Sequence, residues 1–312
     1  MPAVRLAHIG LLGGVQLALR GLTVFYGPNN SGKTAVARAL GFAVRVLNGG
    51  EATSAEALAL ISRGAEAGEI ALDDYEIELA RRPRGAVAVK VAKAGEVLYR
   101  REVSGVIATG LDERLSADVL IRVRLDGVAV VDRGVRTLSL AELVSPSVAA
   151  LWGAEWGSAA GADEYAEYME EINDVLSDIT DHELVVAGDR LYYRSGGVHF
   201  DEEGVASGVQ RVALMAAACA LAGKLSERLG ASPLLFVESF EAALHLGYAL
   251  PLLRLLADLE DPAVVETHSG LVLRTAVLKQ WDYYVFADGA VTKDLKTPEL
   301  LWREVQVAAE LT

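Results

Sequence analysis

The hydrophobic and polar positions change period along the chain, and each change marks a boundary. Residues 3–26 read as short strands parted by Gly13-Gly14 and Arg20-Gly21, the last of them LTVFY. Residues 32–47 read as a helix and residues 51–67 as a second, Ala-rich helix. From residue 69 to about 136 the period falls to two: in DYEIELA, Tyr75, Ile77 and Leu79 alternate with Glu76 and Glu78. Turn signals at 82–85 (RPRG), 93–95 (KAG) and 125–127 (LDG) separate further alternating runs, which predicts an antiparallel β-lobe inserted after the first helix. Residues 140–160 read as irregular and carry Trp152 and Trp156. In the helical run that follows, Tyr165, Tyr168, Ile172, Val175 and Ile179 recur at coiled-coil spacing, but over too few heptads for more than a core-facing helix. Residues 207–229 predict another helix. LLFV (234–237) and AVVE (263–266) are the continuous apolar runs of strands covered on both faces.

Composition narrows the class. At 312 residues and 52% hydrophobic, the chain can bury one large core or two modest ones. A single cysteine, Cys219, excludes an internal disulfide framework and a Cys-based zinc site, and its Ala-rich surroundings predict plain core. The apolar N-terminal stretch is broken by Arg5, His8 and Gln16, and no later apolar run reads as long enough to cross a bilayer; a soluble, cytoplasmic protein with no membrane contact is expected. The formal net charge of −14 lowers the expectation for DNA binding, because duplex affinity comes from neutralising phosphates with Lys and Arg.

Four segments carry chemistry. The strongest is GPNNSGKT, Gly27 to Thr34, which fits G-x-x-x-x-G-K-[ST] between a predicted strand and a predicted helix. Gly27 and Gly32 let the backbone curl so that successive N–H groups, through Asn29, Asn30, Ser31 and Gly32, face phosphate oxygens. The helix N-terminus adds partial positive charge, Lys33 reaches the β- and γ-phosphates, and Thr34 offers a hydroxyl to Mg²⁺. The second segment is ASGVQR, Ala206 to Arg211, in which Ser207 is expected to cap the helix and Gly208 to expose backbone N–H groups; alone it says no more than a capped helix. The third is LLFVE, whose Glu238 ends a buried strand, where an acid can hold Mg²⁺ through water. The fourth is ETHSG, Glu266 to Gly270, which puts His268 at the end of the next buried strand, beside a nucleotide site.

In this order GPNNSGKT, SGxQ, apolar strand–acid–x–x–Glu–x–x–Leu–His and Thr-His-Ser resemble the ABC-type ATPase heads of SMC proteins, of RecF-like and double-strand-break-repair ATPases, and of OLD-type ATPases, the short OLD-like and AAA-like ATPases most of all. The resemblance covers residues 1–48 and 200–290; residues 50–200 match only in kind. It implies an α/β P-loop NTPase of the ABC-ATPase type: a mixed sheet with helices, plus an inserted antiparallel β-lobe and helical lid. Residues 1–50 and 200–312 would form the nucleotide-binding core and residues 51–199 the lobe and lid. It further implies that Lys33 and Thr34 bind ATP and Mg²⁺ and that Glu238 is the metal's acid. Ser207 and Gly208, with Gln210, would form the signature that meets the γ-phosphate bound by a second copy of the chain, and His268 would be the switch histidine.

Three departures matter. Val209 stands where the transporter-like signature has a second glycine, and no glutamine occurs between Thr34 and Gln210, so the usual Q-loop residue has no candidate. Leu244-His245 fix the register of the third segment, which puts Ser239 in the place of the catalytic glutamate and Phe240 in that of a proline. A serine hydroxyl has no useful basicity without a partner. Three readings follow: Glu241 keeps its family place, which is structural or at the dimer seam; Glu266, on the same side of its strand as His268, replaces the missing base; or no base exists and the protein is a nucleotide-gated clamp.

The expected function is therefore Mg²⁺-dependent ATP binding and hydrolysis coupled to head-to-head homodimerisation, in DNA repair, maintenance or defence. A binding switch with little turnover and a P-loop kinase are the competing readings, and the kinase would need an acceptor site in place of a signature helix. The chain ends soon after the ATPase core, so a separate nuclease or DNA-processing partner is expected to supply further chemistry.

Overall fold

The structure, a computed structural model, describes residues 2–153, 159–188 and 190–293. Trp156 lies outside them. Strands β1 (Ala3–Ile9), β2 (Leu12–Ala18) and β3 (Leu22–Tyr26) precede α1 (Lys33–Leu47). β4 (Glu51–Thr53) and α2 (Ser54–Leu60) follow, then β5 (Ala67–Leu72), β6 (Tyr75–Arg81), β7 (Val87–Lys93), β8 (Glu96–Val103) and β9 (Val106–Ala108). β10 (Val119–Val123), β11 (Val128–Val131) and β12 (Val135–Leu138) lead to α3 (Leu140–Leu143) and α4 (Ala159–Thr180). β13 (Glu183–Ala187), β14 (Arg190–Ser195) and β15 (Val198–Phe200) form a small sheet before α5 (Ser207–Leu229). The chain then alternates through β16 (Pro233–Val237), α6 (Leu246–Asp258), β17 (Ala263–Thr267) and α7 (Gly270–Lys279), and continues with β18 (Asp282–Ala287) and β19 (Ala290–Thr292).

The central sheet runs β12-β11-β10-β16-β17-β3-β18-β19. Its five middle strands, β10 to β18 in that order, are parallel, with antiparallel hairpin strands at both edges. The strands ending in LLFV and LTVFY are fully buried, as continuous apolar runs require. One face of β16, through Leu235 and Val237, packs against α4, α5 and α6; the other, through Leu234 and Phe236, packs against α1. A second sheet, β2-β1-β5-β6-β7-β8, is antiparallel throughout and closes over the far side of α1. α1 is thus buried between two sheets, which is why it is apolar nearly all round.

Sheet membership cuts across the division expected at residue 50. β1 and β2, from the N-terminus, belong to the antiparallel sheet, while β10–β12, from within the expected insertion, extend the central one. The expected helix over 51–67 is confined to Ser54–Leu60. It starts late because Thr53 and Glu56 form a capping box that fixes its first turn, while residues 51–53 pair with β9. Residues 140–152 are ordered by short helical turns, and Trp152 is buried against Tyr168 with ring centroids 5.1 Å apart. On α4, Tyr168, Ile172 and Leu176 face the core, with Tyr165, Val175 and Ile179 at its margin.

α5 is the one described helix long and apolar enough to span a membrane, contrary to the sequence expectation, yet 89% of its apolar window is buried inside the fold. Its run of alanines allows close approach to α4 and β16. Cys219 sits within this packing, and burial pushes its thiol up to about 12, so it behaves as a small hydrophobe.

Candidate functional site

The phosphate-loop motif leaves the C-terminal end of β3 and enters α1 through Gly32, whose φ of 106° lies in the left-handed region that glycine tolerates. At Gly27 a Cβ would run into the carbonyl of Phe286, so the loop can lie against β18 only without a side chain. Lys33 is 2% exposed. Its Nζ donates to Gly27 O at 2.7 Å and Pro28 O at 2.8 Å, with Ser31 Oγ at 3.4 Å. Burial lowers its pKa, and Glu266 and Glu241 offset part of that. The ammonium is thus surrounded by acceptor oxygens of its own loop, and phosphate oxygens would replace these carbonyls as its partners. Asn29 and Asn30 are exposed at the loop's outer turn, with Asn30 at φ 59°.

Three strands carry charged side chains to the α1 face of the sheet. Val237 pairs in register with Val265, so Glu238 and Glu266 are the next residues on neighbouring parallel strands. Glu266 is 5% exposed and accepts from Thr34 Oγ1 through both oxygens, at 3.0 and 3.1 Å. Burial raises its pKa most; the Thr34 hydrogen bond and Lys33 oppose this, and the charge of Glu238 adds to it. Glu238 faces the other way along the sheet, toward Arg122 on β10, whose Nε donates to Oε1 at 2.7 Å while Nη2 donates to the same oxygen. The expected metal acid is therefore ion-paired with arginine, and the carboxylate that touches the Thr34 hydroxyl is Glu266.

The other expected residues fall in two groups. His268 Nδ1 lies 2.7 Å from Gly27 O. A carbonyl only accepts, so Nδ1 carries the proton, and the 3.4 Å approach of Lys33 Nζ to the same nitrogen is a contact between two donors. Glu241 accepts from Thr267 Oγ1 at 2.8 Å and from the His268 backbone N–H at 2.7 Å. It fixes the strand end that carries the histidine, which agrees with a structural place. Ser239, at φ 48°, and buried Phe240 form the turn after β16.

The signature segment stands apart from the phosphate loop's immediate partners. Ala206 is the N-cap residue of α5 and makes no side-chain cap; Ser207, expected to be that cap, is the first helical residue and is exposed. A Cβ on Gly208 would meet Ala243 O at 2.9 Å, so glycine is needed where α5 starts against the turn after β16. Gln210 donates to the carbonyls of Glu202 and Val205, at 2.6 and 3.3 Å. Ser207 and Gln210 line a cavity of about 370 Å³ with Leu125, Asp126 and Ser139.

Two residues escaped the sequence reading. Arg122 interrupts the apolar strand VLIRV, and a charge within a buried strand was the available signal. Arg211, 3% exposed, donates from Nη2 to Glu238 O at 2.8 Å and from Nη1 to Arg124 O. Burial lowers its guanidinium to about 10, and Glu238 counteracts this. It ties the start of α5 to the ends of β10 and β16.

The donor set fits a hard cation: a hydroxyl and two carboxylates, with phosphate and water to complete the shell. Among the described residues no cluster of three or more His, Cys, Asp or Glu could hold a metal unaided. A nucleotide-delivered Mg²⁺ suits this arrangement, because Mg²⁺ commonly relies on one or two carboxylates plus substrate phosphates.

No family model matches the chain, and no curated protein matches it. Solved structures do. An SMC head bound to the C-winged helix domain of ScpA aligns over 93% of this chain and 96% of its own, with TM-score 0.58 and 14% identity. The recombination mediator protein RecF with ATP aligns over the same shares with TM-score 0.52 and 12% identity. An SMC head with an extended coiled coil, bound to the C-terminal domain of ScpA from Pyrococcus furiosus, aligns over 98% and 100% with TM-score 0.50 and 11% identity. At such identities the likeness is one of fold. The chain has the fold of an ABC-type ATPase head of the SMC and RecF kind, a mixed α/β P-loop architecture.

Proposed function

We propose that the chain binds ATP with Mg²⁺ at Gly27–Thr34 and hydrolyses it slowly, coupled to head-to-head pairing of two copies. The observation that carries this reading is the meeting of the α1 hydroxyl and the strand-end acid. Thr34 lies on Glu266, beside Glu238, at the carboxyl ends of parallel strands, where open α/β sheets hold ligands. Lys33 and the N–H groups of Asn29 to Thr34 would hold the phosphates. Thr34, Glu266 and Glu238 would hold the Mg²⁺, which when bound neutralises charge that develops during phosphoryl transfer to water. His268, whose Nδ1 donates to Gly27 O, would have Nε2 left to accept a hydrogen bond from water at the γ-phosphate end. Exposed Ser207 and the N-terminus of α5 would complete the site of the second copy.

The work served is proposed from the fold neighbours, which are SMC heads and RecF: DNA repair, maintenance or defence in the cytoplasm, with a separate protein partner such as a nuclease or DNA-processing enzyme. The overall charge of −14 argues for DNA contact through a partner more than through this chain.

A nucleotide-gated clamp with little turnover is the second reading, and one observation favours it. Ser239 replaces a base, Glu238 is held by Arg122, Glu266 by Thr34 and Glu241 by the backbone of His268. Each of these carboxylates is engaged. Steady-state release of phosphate from ATP, with and without Mg²⁺, separates the readings. Turnover that requires Mg²⁺ supports the ATPase; ATP binding without turnover supports the clamp.

A further inference from the structure

Glu238 and Glu266 occupy adjacent register positions on parallel strands and share the α1 face. Neighbouring strands lie about 4.8 Å apart, so two carboxylates here repel unless a cation stands between or beside them. A bound Mg²⁺ would be that cation. In the present structure the countercharge comes from the protein: Arg122, on the next parallel strand, donates twice to Glu238 Oε1. Both side chains are largely buried, at 19% and 17% exposure, so leaving either charge without a partner costs more than it would at a surface bridge. Arg211 fixes the other side of the same residue by holding its backbone carbonyl, so the turn cannot simply move away. Arg122 itself is not confined. It borders a cavity of about 300 Å³ between α1, α2 and β11, lined also by Arg38, Arg45 and Glu56. The guanidinium therefore has room to leave Glu238 without disturbing the packed strands.

We infer that Arg122 is a latch on Glu238, a built-in substitute for the metal that competes with Mg²⁺ for this carboxylate. This inference rests on the nucleotide-site reading above and adds a control to it. A carboxylate oxygen that accepts two charge-assisted bonds from arginine is a poor partner for a metal-bound water. Metal recruitment of Glu238 and the Arg122 pair thus compete for the same carboxylate, most directly at Oε1, and the strength of the pair raises the metal concentration that the site requires. The latch also keeps the charge of the site balanced in the absence of metal, so the two acids do not force the strand ends apart.

The test is direct metal binding, which does not depend on turnover. Mn²⁺ is titrated into the full chain with a non-hydrolysable ATP analogue, and free Mn²⁺ is followed by electron paramagnetic resonance. Arg122→Gln is expected to lower the half-saturating Mn²⁺ about ten-fold, by removing a competing charge-assisted pair. Arg122→Lys, which keeps the charge but loses the fork, is expected about three-fold below the parent. The lysine variant keeps the test decisive should the glutamine variant fold poorly. A merely structural Arg122 would leave half-saturation unchanged or raise it in both variants, and either result overturns the latch. No analogue-dependent Mn²⁺ binding in the parent overturns the nucleotide reading itself, and the latch with it.

Discussion

Thr34 Oγ1 lies 3.0 Å from Oε1 and 3.1 Å from Oε2 of Glu266, joining the first turn of α1 to the end of β17. The contact ties Glu266 to the hydroxyl proposed to meet the metal. Under the proposed function Glu266 is a candidate for the metal's acid as well as for the base, while Glu238 is paired with Arg122.

Glu266→Gln is expected to lower Mg²⁺-dependent turnover on the order of 100-fold, whether the group acts on metal or on water. Metal-free ATP affinity separates the roles. A metal-side Glu266 predicts that ATP binding in EDTA is retained while the gain on adding Mg²⁺ is lost; a base predicts that the gain survives. Calorimetric titrations in EDTA and in Mg²⁺ provide both values. Parent-level turnover in the variant would remove Glu266 from the site altogether.

The same buried carboxylate predicts a pH dependence of stability. Burial raises the Glu266 pKa in the folded state, so the folded chain binds this proton more readily than the unfolded chain does. Its contribution to ligand-free stability therefore falls as pH rises from the ordinary carboxylate range through the raised folded value. Glu266→Gln should melt higher than the parent at pH 7, with a difference that shrinks as pH is lowered below that window. Melting curves in EDTA across pH check this. A variant that melts lower at pH 7 would show that the Thr34 bond outweighs burial.

Much of this arrangement was legible in the sequence and part of it was not. The phosphate loop, α5 and the two buried strands stand out because short-range patterning specifies them: glycine spacing, helical period, continuous apolar runs. Glu266 and His268 were placed on one side of their strand by parity alone, and both side chains do reach the phosphate-loop segment. What patterning could not reveal is long-range pairing. β10 falls in the stretch that reads as antiparallel hairpins, yet its parallel partner β16 lies 114 residues away, and only that pairing brings Arg122 to Glu238. β1 likewise looks like part of the core until it pairs with β5.

Ser239 sits at φ 48°, where a side chain costs roughly 1 kcal/mol relative to glycine. Ser239→Gly should stabilise the protein by about 0.5–1 kcal/mol and leave ATP affinity unchanged, because the hydroxyl has no assigned role. Ser239→Glu, which restores an acid, should raise turnover or leave it unchanged. Denaturant unfolding and phosphate release measure the two effects; a large fall in turnover would place the register elsewhere.

Pairing of two copies is tested at Ser207, the exposed first residue of α5. With a non-hydrolysable analogue the parent should dimerise, as read by light scattering. Ser207→Arg should prevent this through bulk and leave analogue affinity within about two-fold, since an exposed residue away from the phosphate loop contributes little to its own site. Dimers that form equally well without nucleotide, or that survive the substitution, would refute the head-to-head arrangement.

Calorimetric titration of the parent and Lys33→Ala with ATP in Mg²⁺ addresses the nucleotide site most directly. Lys33 Nζ is the buried ammonium among the acceptor oxygens of the loop, and its removal takes away the charge that would meet the β- and γ-phosphates. The parent should bind one ATP per chain, and the variant should bind at least about 100-fold more weakly, the scale of losing a charge-assisted contact in a buried site. Equal affinity in the two proteins, or no binding in the parent, would contradict the assignment of Gly27–Thr34 as a nucleotide site.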